Sequence, residues 1–175
     1  AHRPRIFRSM DIASLLDRPE YVHAAINHFP LVGLFVATLG LAGALALKNR
    51  PAIFVALGLS GVMAFSACIV SYFGEEGYDR VLSMADDPGQ AYLRYHQLLA
   101  NRWVFLFYIC AGFAALGIGL GWKWPRLINV FGLLTILLAF GSLLAGIFIA
   151  HSGGEIRHRE FRSGPPPDVP PPQQQ

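Results

Sequence analysis

Four stretches without a single charged residue constrain what this chain can become. Residues 29–47, 52–73, 103–122 and 127–150 contain no Asp, Glu, Lys or Arg. Each is about as long as the roughly 20 residues a helix needs to cross the hydrocarbon core of a bilayer. Lipid offers no hydrogen bonds, so a spanning backbone must satisfy its own, and four apolar runs of this length imply four helices. None shows the polar face that a soluble helix turns to water. The composition agrees: 54% of residues are hydrophobic and 14% charged, and the mean hydropathy is positive. The expected fold class is therefore all-α integral membrane, an antiparallel up-down four-helix transmembrane bundle. Its spans are expected at about 28–47, 52–73, 98–122 and 126–151.

Around these spans the chain divides into a basic amphipathic N-terminal segment (1–22), the transmembrane domain (23–160) and a proline-rich extended tail (161–175). In the first, Met10, Ile12, Leu15 and Leu16 are candidate interfacial contacts. Asp17, Pro19 and Glu20 read as a helix start, with Asp17 capping and Glu20 completing a capping box. Pro30 lacks the donor for the Ile26 carbonyl, which predicts a kink or fresh start near Asn27, a good N-cap. Residues 48–51 and 122–126 form tight basic turns, the second bearing interfacial tryptophans. The longer loop 78–97 is expected to hold a short helix to Met84, then a turn at Asp87-Pro88-Gly89. Gly153 and Gly154 offer a left-handed stop to the last span. Cys68 and Cys110 lie mid-span without CxxC spacing and read as buried small residues. The first apolar run is too long for a signal-peptide core and leads into further spans, so no cleavable leader is expected. The tail has polyproline composition and is expected either free or laid along a partner subunit. No internal repeat stands out, and nothing in the sequence points to nucleic acid.

Sequential antiparallel spans fix which ends share a face. The starts of spans one and three and the ends of spans two and four gather His23, His28, Glu75, Glu76, His96, His151 and His158, while the opposite face receives no histidine. His28 and His151 adjoin their apolar runs and should lie at similar depth. His23 stands roughly 7 Å above His28 and turned roughly 140° from it on a continuous helix, and His96 lies roughly 10 Å above its run, so those two form a shallower layer. Depth thus pairs His28 with His151 and His23 with His96. Imidazoles at the edge of a low-dielectric bundle are costly unless they bind something. Paired neutral imidazoles from different helices suit axial ligation of haem iron, and the absence of CxxCH makes any such haem a non-covalent b type. Arg94, Arg102 and Arg157 are placed to meet propionates, and the many spaced small residues either leave room for a flat cofactor or serve ordinary close packing. Each histidine also has a plainer role as a capping or solvated group. His2 and His158 read as solvated tail residues. Glu75 and Glu76 face water, or else serve proton exchange or a metal site with His28 and His151.

His23-Ala-Ala-Ile-Asn-His28-Phe29-Pro30, Tyr95-His96-Gln-Leu-Leu-Ala before the third span, and His151-Ser-Gly153-Gly154-Glu155 after the fourth resemble the signature of a bacterial four-helix membrane domain family of unknown function. The resemblance covers roughly residues 23–158 and rests on short motifs in combination. It implies a cytochrome-b-like, haem-carrying membrane subunit with His23, His28, His96 and His151 as its polar positions. After Gly154 the chain departs from the family pattern, so the resemblance assigns no role to His158.

The function expected is a membrane electron-transfer subunit holding one or two b haems, and a quinone as a further candidate ligand. Its redox partner would be quinone, cytochrome c or another subunit of a respiratory or photosynthetic complex, which makes it an accessory subunit rather than an enzyme. The alternatives are a structural anchor subunit or a His/Glu metal site. The purely basic turns favour the cytoplasm for themselves, although ten of the fourteen Lys and Arg residues lie on the histidine side. The assignment is a bacterial inner membrane with the histidine face periplasmic.

Overall fold

The computed structural model describes residues 17–169. The candidate interfacial contacts Met10, Ile12, Leu15 and Leu16, together with His2, lie outside the described residues. Helices run in the order α1 (Pro19–Ile26), a π turn (Phe29–Gly33), α2 (Leu34–Ala46), α3 (Arg50–Glu76), α4 (Tyr78–Met84), α5 (Asp87–Trp103), α6 (Phe105–Lys123) and α7 (Leu127–Glu155), followed by a 3-10 turn (Arg159–Phe161). Together they make four helices long and apolar enough to cross a membrane, Pro19–Ala46, Arg50–Glu76, Asp87–Lys123 and Leu127–Glu155. The chain is a multi-pass membrane protein.

The four spans close into a ring in chain order, the first packing on the second, second on third, third on fourth and fourth on first. The second and fourth also touch across the ring. Side chains sort by size. Buried positions are dominated by small residues such as Ala44, Ala56, Ala64, Ala114 and Ala139, while Val36, Val62, Leu137, Phe140 and Phe148 point outward. A soluble protein could not tolerate that outer surface, whereas lipid can, and small residues let helices approach where no hydrophobic drive joins them. Two glycines on α6 let the next span come close: a Cβ on Gly117 would stand 2.8 Å from that of Phe131, and one on Gly121 2.8 Å from that of Ile128. Cys110 is buried in the ring as expected, but Cys68 is exposed on its outer wall.

Several local expectations are revised by the structure. Asn27 starts no new helix; it is the C-cap of α1, and its N–H donates to the His23 carbonyl. The missing Pro30 donor falls in one wider turn, Phe29–Gly33, and the Val32 N–H keeps an ordinary helical bond to the His28 carbonyl, so the span continues without a fresh start. Arg18 rather than Asp17 occupies the N-cap of α1 and makes no side-chain cap. Glu20 does not close a capping box: its side chain is 6% exposed and meets the Arg80 Nε of α4 at 2.9 Å. Asp87-Pro88-Gly89 is the first turn of α5, not a loop, because the Asp86 carboxylate accepts from the Gly89 N–H and Pro88 needs no donor there. Gly153 and Gly154 stay right-handed inside α7, since no glycine has a positive φ among the described residues. The left-handed residue is Lys48, at φ 51° in the turn between the first two spans. There Asn49 caps α3 through the Ala52 N–H, and Arg50 donates to the Gly121 carbonyl at 2.8 Å, satisfying an end of α6.

The chain after α7 does not leave the domain at once. Arg162 bonds both oxygens of Asp86 at 2.9 and 3.1 Å and the carbonyls of Glu155 and Ile156 at 2.7 and 2.8 Å, and its guanidinium lies over the Tyr92 ring. Tyr92 in turn donates to the Gly164 carbonyl at 3.2 Å. The start of the proline-rich tail is thereby strapped to its own domain, where the sequence suggested a free or partner-bound segment.

Candidate functional site

His23 projects from α1, and its Nδ1 lies 2.9 Å from the Val70 carbonyl oxygen of α3. His96 projects from α5, with Nδ1 2.9 Å from the Ile149 carbonyl oxygen of α7 and 3.1 Å from the Ser152 hydroxyl. A carbonyl only accepts, so each Nδ1 carries the hydrogen, and in the neutral ring the lone pair is left on Nε2. The same second partner, a backbone carbonyl on the far ring nitrogen, is what commonly fixes the tautomer of a metal-binding histidine.

Glycines make room for both rings. A Cβ on Gly74 would stand 2.9 Å from His23 Nδ1, and one on Gly153 would stand 3.2 Å from His96 Cε1. The two rings meet at the histidine end of the bundle with centroids 6.4 Å apart and planes at 89°. They come from the first and third spans, which face each other across the ring of helices, while their carbonyl anchors belong to the second and fourth. Two imidazoles bound from opposite sides of one metal ion, each at about 2 Å, hold their centroids roughly 6 Å apart. The centroid spacing of this pair is comparable with that arrangement.

The other sequence candidates are placed differently. His28 is exposed, turned away from His23 by the five-residue step between them and followed at once by the π turn. His151 is 63% exposed and sits 3.6 Å from the Glu155 carboxylate one turn on, because the adjacent Ser152 takes the inward position. His28 and His151 thus both face outward. Glu75 and Glu76 are exposed, and among the described residues no three His, Cys, Asp or Glu side chains converge as metal ligands. His158 is exposed and pairs with Glu160 at 3.1 Å.

Arg102 is exposed over the Trp103 ring, and Arg157 is exposed with Nη2 3.6 Å from the Met84 sulfur. Arg94 is half-buried and its Nε is enclosed without a partner among the described residues, as is the Tyr78 hydroxyl. Burial raises the pKa of that hydroxyl above the usual phenol range, while the Arg94 guanidinium pulls it back and Asp79 adds to the rise. Two enclosed donors without partners among the described residues therefore lie near each other, Arg94 two positions before His96 on α5.

Sequence reasoning missed the residues that orient the pair: Gly74, Gly153, Ser152 and the Val70 and Ile149 carbonyls. Its one available signal was that each glycine is followed two positions later by glutamate, Glu76 or Glu155, at the end of a span. Comparison of the chain with protein-family models, with curated proteins and with solved structures gave no match.

Proposed function

We propose that this protein is a membrane electron-transfer subunit that binds b-type haem through His23 and His96 and exchanges electrons with quinone or a partner redox protein. The observation that carries the proposal is the tautomer and spacing of the pair. Both Nδ1 atoms are bonded to helix carbonyls, neither Nε2 has a hydrogen-bond partner among the described residues, and the centroids stand 6.4 Å apart. Bis-imidazole ligation is the chemistry that such donors suit in a helical bundle. Bound there, haem iron would supply a one-electron couple. The chain's own part is to hold the two rings, keep their Nδ1 protons on Val70 and Ile149, and limit water at the end of the bundle. The enclosed Arg94 Nε and Tyr78 hydroxyl are donors suited to a carboxylate, while Arg102 and Arg157 stand exposed at the rim. The His-Phe-Pro and Gly-Gly motifs support the same reading by resemblance. A bacterial inner membrane with the histidine end in the periplasm is the orientation proposed, since the opposite turns hold Lys48, Arg50, Lys123 and Arg126 and no acidic residue.

A structural anchor subunit is the second reading. It is favoured by Gly40, Gly43, Gly112 and Gly119, which have open space beside them on the outer wall and would let partner helices approach closely. The visible spectrum of protein purified in detergent decides between them. A reduced b-type band with stoichiometric extractable haem supports the first, and colourless protein from haem-replete cells overturns it.

A further inference from the structure

The two histidines are held by equivalent devices, one in each half of the chain. In a helix the carbonyl of residue i points at the N–H of residue i+4, so a side chain at i+4 crowds the approach to that carbonyl. Val70 and Gly74 are four residues apart in the second span, and Ile149 and Gly153 are four apart in the fourth. His23 from the first span approaches the former pair, and His96 from the third span approaches the latter. The first two spans thus repeat, in the same order, what the last two do: a histidine on the leading helix, then a carbonyl and a glycine one turn apart on the returning helix.

We propose that Gly74 and Gly153 are paired positioning residues that open the Val70 and Ile149 carbonyls to His23 and His96, so that two equivalent hairpins present two Nε2 atoms to one shared ligand. Only the identity of that ligand rests on the haem reading; the positioning does not. A general packing role does not account for the pattern, because the nearest atoms to a Cβ at either position belong to the imidazole rings themselves. The halves are not identical in tightness. An added methyl meets His23 Nδ1 at 2.9 Å but His96 no closer than 3.2 Å, so Gly74→Ala should act more strongly than Gly153→Ala.

The test uses full-length protein in detergent, labelled with 15N at histidine and free of added cofactor. Wild type should show two neutral imidazoles protonated at Nδ1. Gly74→Ala should displace the His23 resonances and leave those of His96, Gly153→Ala should do the reverse, and Gly112→Ala, which has open space, should move neither. Titration with ferric protoporphyrin should weaken about tenfold or more in either variant, the usual effect of disturbing the residues that orient a metal ligand. If Gly74→Ala destabilises the protein too far for spectra, Gly74→Ala combined with His23→Ala should recover most of the lost melting temperature, because the ring it strikes is gone. Unchanged tautomers in both glycine variants, or no such recovery, would overturn the positioning role. Tautomers that respond as expected in a protein that takes up no haem would support the positioning role and overturn the haem reading alone.

Discussion

The imidazoles of His23 and His96 stand 6.4 Å apart at right angles, although 73 positions separate them in the chain. Each is tethered through Nδ1 to a helix other than its own. Removing either ring should abolish tight haem uptake: His23→Ala and His96→Ala are expected to lower ferric protoporphyrin affinity by at least about tenfold, since one axial bond is lost. His28→Ala and His151→Ala, whose rings are exposed, should leave the titration unchanged. Difference absorption spectroscopy on the four variants measures this, and equal losses in all four would contradict the pairing.

The strap formed by Arg162 should release in acid. The Arg162 guanidinium bonded to Asp86 lowers that carboxyl from 3.8 to about 2, with the Gly89 N–H and Arg159 adding to the effect. A depressed folded-state value means the contribution is complete above the unfolded value and is lost as pH falls through the folded one. Hydrogen exchange in residues 159–164, taken relative to its intrinsic rate at each pH, should therefore accelerate between about pH 4 and about pH 2. Asp86→Asn should accelerate it at neutral pH and flatten the pH dependence.

Gly117 and Gly119 are two residues apart on α6 but face opposite ways. A Cβ on Gly117 meets Phe131 and Leu57, whereas Gly119 has open space. Gly117→Leu should cost about 1–3 kcal/mol through overpacking. Gly119→Leu should be close to neutral, because it adds apolar surface to the outer wall. Thermal unfolding in detergent, followed by circular dichroism, compares the two.

Lys48 holds a left-handed backbone that disfavours any residue with a Cβ by about 1–2 kcal/mol. Lys48→Gly removes that strain and costs some freedom regained by the unfolded chain, leaving an expected gain of about 0.5–1 kcal/mol. A lowered melting temperature would show that the Lys48 side chain contributes more than its backbone costs.

The sequence by itself determined the four spans, their alternating direction and the gathering of the histidines at one end, because charge-free length and chain order suffice for each. It also indicated the right layer for His23 and His96, since helical rise converts spacing into depth. What it could not supply was azimuth. Whether a ring faces the axis or the lipid depends on the π turn after His28, on the continuous α5 that carries His96, and on which neighbouring helix lends a free carbonyl. Those are contacts between distant segments, and only the packed bundle decided that His23 and His96 turn inward over Gly74 and Gly153 while His28 and His151 turn out. The same holds for Arg162, whose partners Asp86 and Tyr92 are remote in sequence and become neighbours only once α5 and α7 are side by side.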